Sequence, residues 1–269
     1  MTFARQLRGH LRIVATPPTT AILILIVLVI AARARNAPGM LDQDSTARAH
    51  AVALVGAFRI ACLQMSTMAG LAIAAASAAT LSGFVSHPRG EEMMSILEPA
   101  ATRRWLLRLL SVIFMMLAGI VLTTIFTFIA GAVQAARLRG RVQLTVGEWS
   151  QGAAVFGHSI VVVVAFAAVA VLTASLFRAN PAVAAAASLG VTEALLLLQH
   201  LLGSVGDYVV PTAWIARWLH LPARDYGVGY IWTTGAFASH RGVAGVAVAT
   251  LAALAAGAGL TAVARAARG

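Results

Sequence analysis

The sequence predicts an all-α membrane protein with about six transmembrane helices, preceded by an amphipathic N-terminal helix. Composition and hydropathy predict this fold class. Of 269 residues, 60% are hydrophobic and only 11% are charged, whereas soluble domains carry roughly 25% charged residues. The mean hydropathy of +0.86 indicates that a lipid bilayer, rather than a single packed core, covers most of the apolar surface.

All of the basic residues are arginine, and the net charge is +11. Because the chain has no lysine, it cannot form a Walker A phosphate loop or a lysine Schiff base. The arginines are spread over short loops and therefore do not indicate a nucleic-acid interface. If ATP drives this protein, another chain must hydrolyse it.

Motifs for catalysis or metal binding are lacking from the sequence. The single cysteine, Cys62, lies among apolar residues and is expected to be a buried, inert thiol. The histidines show no spacing typical of a metal site, and no Gly-x-Ser-x-Gly nucleophile elbow occurs. The sequence therefore predicts a protein that is not an enzyme and that holds no metal or cofactor itself.

The N-terminal segment is expected to lie along the membrane surface. Arg5, Arg8 and Arg12 alternate with apolar residues at three- and four-residue steps, which is the pattern of an amphipathic helix. Pro17 and Pro18 then interrupt the helix and allow the chain to turn into the bilayer.

Apolar segments recur along the whole chain, which we interpret as one transmembrane domain over residues 1–269. The N-terminal helix and the spans are expected at 1–18, 19–32, 60–84, 105–133, 149–177, 182–202 and 242–263. A polar loop at 86–104 and an interfacial region at 203–241, which is rich in aromatic residues, separate some of these spans.

The second span is the least regular. Residues 49–85 contain one charge, Arg59, and are too long for one span but too short for two with a turn. We therefore expect an interfacial lead-in at 49–59 and a span at 60–84, with Arg59 reaching up to the headgroups.

The membrane orientation follows from the N-terminal helix. With the N-terminus in the cytoplasm, the arginines divide equally between the two sides, so their distribution does not choose an orientation. The basic amphipathic helix favours a cytoplasmic N-terminus. An even number of spans then places the C-terminus in the cytoplasm as well.

The loop between the second and third spans has the features of a short amphipathic helix. A proline stands at its start, and Glu91 and Glu92 follow in the first turn, where the helix dipole favours acids. Met94 and Leu97 contribute to an apolar face, and Pro99 ends the helix. Such a helix suits docking into a groove on a soluble partner.

This loop resembles the coupling helix of permease subunits in ABC transporters of the type-two exporter class, which includes drug, polysaccharide and peptide exporters. The shared pattern is Arg-Gly followed by acids, hydrophobic residues, a proline and then basic residues before the third span. The resemblance assigns coupling to Arg89, Gly90, Glu91, Glu92, Met94, Leu97, Glu98 and Pro99, with Arg103 and Arg104 as the basic residues. It extends to the Asn180-Pro181 turn and to the interfacial region, but His87-Pro88 replaces a position that is often acidic in the family.

The resemblance implies a permease that moves an amphiphilic or hydrophobic compound out of a bacterial cell. Its partners would be a separate ABC ATPase, which binds ATP and Mg²⁺, and a second permease copy or a paralogue. The chain would be a multi-pass protein of the plasma membrane. The alternative is a six-span secondary transporter or membrane scaffold without an ATPase partner.

Glu193 is the only acidic residue inside a predicted span, and His200 follows seven residues later on the same face. An intramembrane charge is costly and indicates function by default. The pair could relay protons or contact a cationic substrate, or the carboxyl could be neutralised within the bundle. His158 and the glycines of the sixth span are expected to serve packing.

Overall fold

The computed structural model describes residues 3–36, 52–85, 101–137, 142–143, 149–177, 180–203, 205, 209–219 and 241–266. The helices are α1 (Phe3–Val14), α2 (Pro17–Asn36), α3 (Leu54–Met65), α4 (Met68–Val85), α5 (Ala101–Arg137), α6 (Trp149–Leu176), α7 (Pro181–Leu202), α8 (Pro211–Trp218) and α9 (Arg241–Ala266). Two short strands, β1 (Val52–Ala53) and β2 (Val142–Gln143), pair in parallel.

The structure confirms a helical protein with several helices suited to cross a membrane. Within the described residues, α5, α6 and α7 are each long and apolar enough to do so. The number rises to five if the bent pairs α1–α2 and α3–α4 each form one span. Helix α9 contributes a shorter apolar segment, Ala247–Thr261, so the sixth span at 242–263 stays a prediction.

Helix α1 meets α2 at an angle of 73°. The bend lies at Ala15 and Thr16, directly before Pro17 and Pro18, because a proline disfavours helical backbone in the residue before it and has no N–H to donate. Helix α1 packs against α4 and α5 through a buried face formed by Gln6, His10 and Val14. The opposite face carries three exposed arginines, Arg5, Arg8 and Arg12.

The structure differs from the single second span predicted at 60–84. Two helices occupy this region, α3 and α4, and they meet at 60° across Ser66 and Thr67. Helix α3 begins at Leu54, inside the predicted lead-in at 49–59. Two short helices bent within the bundle explain why this stretch is too long for one straight span.

Local polar contacts and a close approach fix this break. The Ser66 hydroxyl donates to the Cys62 carbonyl at 2.8 Å, and the Thr67 hydroxyl donates to the Gln64 carbonyl at 2.6 Å. The same two carbonyls also accept the backbone N–H groups of Ser66 and Thr67, at 3.1 and 3.2 Å, so each hydroxyl adds a second hydrogen bond at the end of α3. A Cβ atom at Gly70 would fall on the Met65 carbonyl group, 2.6 Å from its carbon, so only glycine fits there.

Helix α5 lies at the centre and packs against α1, α2, α3, α4, α6 and α9. At one end of the bundle, the Thr19 and Thr80 hydroxyls are 2.6 Å apart, and the Ser82 hydroxyl donates to the Ala174 carbonyl at 2.6 Å. These contacts join the start of α2 to the ends of α4 and α6. We call this the α1 end of the bundle, because α1 precedes α2 there.

The opposite end is marked by the two strands and by the start of α6, where Gly152 packs on Val55 and Phe58 of α3. We call it the strand end. Helix α2 runs from the α1 end to the strand end, α3 and α4 return together, α5 crosses again and α6 returns. Passes that follow one another in the chain are therefore antiparallel.

Candidate functional site

The predicted coupling residues fall in the segment 86–100, outside the described residues. They are Arg89, Gly90, Glu91, Glu92, Met94, Leu97, Glu98 and Pro99. The structure does place the two helix ends to which this segment is joined. Val85 ends α4 and Ala101 begins α5, and both belong to the α1 end of the bundle.

The basic residues predicted to precede the third span lie within the first turns of α5. Arg103 and Arg104 are half-buried. The helix begins at Ala101, before the predicted start of the span at residue 105. The Cζ atom of Arg103 lies 5.9 Å from the centroid of the Phe3 ring, which is cation–π distance. The Nε atom of Arg104 is buried without a hydrogen-bond partner among the described residues.

The end of α9 also reaches the α1 end. A Cβ atom at Gly259 would lie 2.8 Å from the Trp105 indole nitrogen of α5, so the two helices approach closely there. This contact agrees with a packing role for Gly259, whereas a Cβ atom at Gly257 would meet nothing within 4 Å. The contact also brings the described C-terminal part of the chain to the same end as α1.

Glu193 lies on an exposed face of α7. Large apolar side chains share the exposed surface of this helix, and they are Val183, Val191, Leu197, Leu198 and Leu201. Glu193 is the only acidic residue in the described part of the chain, and no described basic residue forms a salt bridge with it. Glu193 is thus exposed rather than enclosed by the described helices.

The structure does not establish the Glu193–His200 pair. Both residues belong to α7, and seven residues correspond to roughly 10 Å along a helix axis. The side chain of His200 lies outside the described part. The neighbouring Gln199 is buried, with 2% of its surface exposed, and therefore lies on a different face of α7 from Glu193.

His158 and Cys62 have structural surroundings. The His158 ring meets the Trp218 ring edge-on at 4.7 Å, and the Trp218 indole N–H donates to the His158 carbonyl at 2.9 Å. This contact attaches α8 to α6. Cys62 is a free, buried thiol, as the sequence predicts. Among the described residues, no group of three or more histidine, cysteine or acidic side chains could hold a metal.

The central helices contain buried hydroxyl groups that the sequence does not predict. The side chains of Ser77, Thr123, Thr127 and Ser159 are buried without hydrogen-bond partners among the described residues. Buried polar groups are normally paired, so this set is unusual. Small polar residues in apolar helices are common packing residues, and the sequence offers no signal that separates these four from the others.

Neither a scan against protein-family models nor searches of curated proteins and of solved structures finds a match to this chain. The resemblance to type-two exporter permeases therefore rests on sequence features alone and stays a prediction.

Replacing Glu193 with leucine should leave the midpoint of thermal unfolding in detergent unchanged or raise it. The carboxylate has no described partner to lose, and a charge at the centre of a membrane helix costs about 2.5 kcal/mol on insertion scales. Gln199→Leu is the contrasting variant, because Gln199 is buried and polar, and it should lower the midpoint. A clear fall with Glu193→Leu would mean that the carboxylate is paired within the fold.

Proposed function

We propose that this chain is the permease subunit of an ATP-driven ABC exporter that moves an amphiphilic or hydrophobic compound out of the cell. The observation that carries the proposal is the position of the two helix ends, Val85 and Ala101, between which the segment 86–100 lies in the sequence. Both helix ends lie at the α1 end of the bundle. A soluble partner bound to this segment would act directly on the two helices with the widest set of neighbours.

The packing of α4 suggests how such a push would spread. The Thr80 hydroxyl contacts Thr19 of α2, and the Ser82 hydroxyl contacts the Ala174 carbonyl of α6. A displacement of α4 at the α1 end would therefore move α2 and α6 with it. The break at Ser66 and Thr67 would act as the hinge that absorbs the change in backbone angle. ATP would drive the cycle by stabilising one of two conformations on the partner.

The remaining parts of the proposal concern the ATPase, the orientation and the second subunit. ATP and Mg²⁺ would be bound by a separate ABC ATPase, because the chain has no lysine for a phosphate loop. The α1 end would be cytoplasmic, so both termini would lie in the cytoplasm of a bacterial plasma membrane. A second permease copy or a paralogue would cover the exposed apolar face of α7 that carries Glu193.

Co-purification of an ATPase tests the proposal. The protein is isolated in mild detergent from its native cell, as the wild type and with Glu92→Arg or Leu97→Asp. We expect an ATPase subunit to co-elute with the wild type and to be lost with either variant, because these changes reverse a charge or place a charge on the apolar face of the docking helix.

Glu148→Arg is the matched control for these variants. It reverses a charge in the residue that precedes α6 in the sequence, and the start of α6 lies at the strand end of the bundle. This variant should retain the ATPase. The proposal fails if no ATPase co-elutes with the wild type. The coupling assignment fails if both loop variants retain the ATPase, or if Glu148→Arg loses it equally.

A secondary transporter is the second candidate, and the α3–α4 break favours it. Discontinuous helices that unwind within the bundle are typical binding sites in such transporters. Here Ser66 and Thr67 separate two helices in the middle of the described bundle. In proteoliposomes without ATPase, this candidate predicts that a pH gradient drives uptake of ethidium and that Glu193→Gln abolishes it. The ABC proposal predicts no uptake under these conditions.

A further inference from the structure

Arginine side chains of two helices lie together at the α1 end. Helix α1 exposes three arginines, Arg5, Arg8 and Arg12, and the first turns of α5 carry two half-buried ones, Arg103 and Arg104. The only carboxylate among the described residues, Glu193, lies on α7 more than two turns from either end of that helix. It therefore lies away from these arginines.

The geometry of α1 places its arginines along a membrane surface. Because α1 meets α2 at 73°, a membrane-crossing α2 leaves α1 nearly parallel to the plane of the bilayer. Leu7 and Leu11 are half-exposed between the buried face and the arginine face of α1. This flank would lie on the acyl chains, with the arginines at the level of the headgroups.

Helix α5 extends the same surface. Phe3 lies against Arg103 and so joins the start of α1 to the basic turn of α5. Arg104 follows, with a buried Nε atom that has no hydrogen-bond partner among the described residues. Leu106, 39% exposed, stands two residues further along. The basic groups thus lie at the edge of an apolar surface. A soluble anion bound there would pair with the arginines but would leave the apolar side chains without a partner.

We infer that the arginines of α1 and of the first turns of α5 bind the phosphate groups of anionic phospholipids. A guanidinium group offers paired N–H donors that suit phosphate oxygens, and the apolar flank of α1 suits the acyl chains. The bound lipids hold α1 against the start of α5. This inference does not depend on the proposed function, since it needs no ATPase.

A binding titration tests the site with the full-length protein in neutral detergent. The probes are phosphatidylglycerol and phosphatidylcholine, each with a fluorescent acyl chain. We expect the wild type to prefer phosphatidylglycerol. Each arginine near an anionic lipid surface contributes roughly a five-fold factor, so the combined Arg5→Gln, Arg8→Gln and Arg12→Gln variant should bind it at least roughly ten-fold more weakly.

Two further variants locate the site on α5. Arg103→Gln combined with Arg104→Gln should also weaken phosphatidylglycerol binding, and by a similar factor. Arg137→Gln changes an arginine at the other end of α5 and should leave binding unchanged. Thermal unfolding of each variant, measured in parallel, shows whether the fold is retained, and the α1 arginines are exposed enough to be replaced without disturbing it.

Four results would overturn the inference. Equal binding of the two lipids, or equal weakening by Arg137→Gln, would mean that the surface does not select anionic lipid. Displacement of the lipid by soluble glycerol phosphate at similar concentration would identify a free phosphate as the ligand. A preference that appears only after Glu91, Glu92 and Glu98 are replaced by glutamine would mean that loop carboxylates occupy the arginines. Loss of ATPase co-purification bears on none of these outcomes.

Discussion

Replacing Gly70 with alanine should lower the free energy of unfolding by about 3 kcal/mol, at the upper end of the range for overpacked sites. The new methyl group would fall on the Met65 carbonyl group, 2.6 Å from its carbon. A backbone carbonyl in a packed core cannot move away as a flexible side chain can. The break between α3 and α4 would have to open, which changes the direction of both helices. Unfolding in detergent, followed by intrinsic fluorescence, measures the effect.

Gly83→Ala is the matched control for this prediction. Gly83 is an exposed residue of the same helix, and a Cβ atom there would meet nothing within 4 Å. Because alanine favours a helix over glycine by up to ~1 kcal/mol, this variant should be as stable as the wild type or more so. Equal stability of the Gly70 and Gly83 variants would mean that the close approach at the break does not exist.

Replacing Gly259 with alanine should lower the free energy of unfolding by about 1 kcal/mol. The added Cβ atom would lie 2.8 Å from the indole nitrogen of Trp105, and that ring packs against the core. Overpacking costs about 1–3 kcal/mol, and the better helix propensity of alanine offsets up to ~1 kcal/mol of it. The same unfolding measurement in detergent applies.

Gly257→Ala is the control, because a Cβ atom at Gly257 would meet nothing within 4 Å. The two glycines are neighbours on α9, yet their substitutions should shift stability in opposite directions. A gain in stability from both variants would contradict the close packing of α9 on α5. It would also contradict the contact that places the end of α9 at the α1 end of the bundle.

These predictions concern features that sequence periodicity does not encode. In an apolar helix every face is hydrophobic, so the pattern does not distinguish the side toward lipid from the side toward protein. Sequence alone therefore does not distinguish the tightly packed glycines, Gly70 and Gly259, from Gly83 or Gly257. Only the positions of Met65 and Trp105 in the folded chain separate them.

The residues of the candidate site also include one that the sequence identifies and several that it does not. The sequence identifies Glu193 as an intramembrane acid, because a charged residue in an apolar segment is visible without a structure. Whether that acid is directed into the bundle or away from it depends on how α7 packs on α4, and the structure shows it exposed. The unsatisfied hydroxyls, Thr123 among them, carry no such signal in the sequence, because serine and threonine are ordinary residues of membrane helices.

Composition by itself determined that this is a helical membrane protein, because so few charges and so much apolar surface can be covered only by lipid. The alternation of arginine with leucine similarly determined the amphipathic character of α1, and Pro17-Pro18 its end. Tertiary structure alone decided that the second predicted span is broken at Ser66 and Thr67. It also decided that the arginines of α1 and α5 share one end of the bundle. The shared end depends on contacts between residues far apart in the chain, such as Phe3 and Arg103. The break depends on the backbone geometry of Met65 and Gly70, which composition and periodicity do not report.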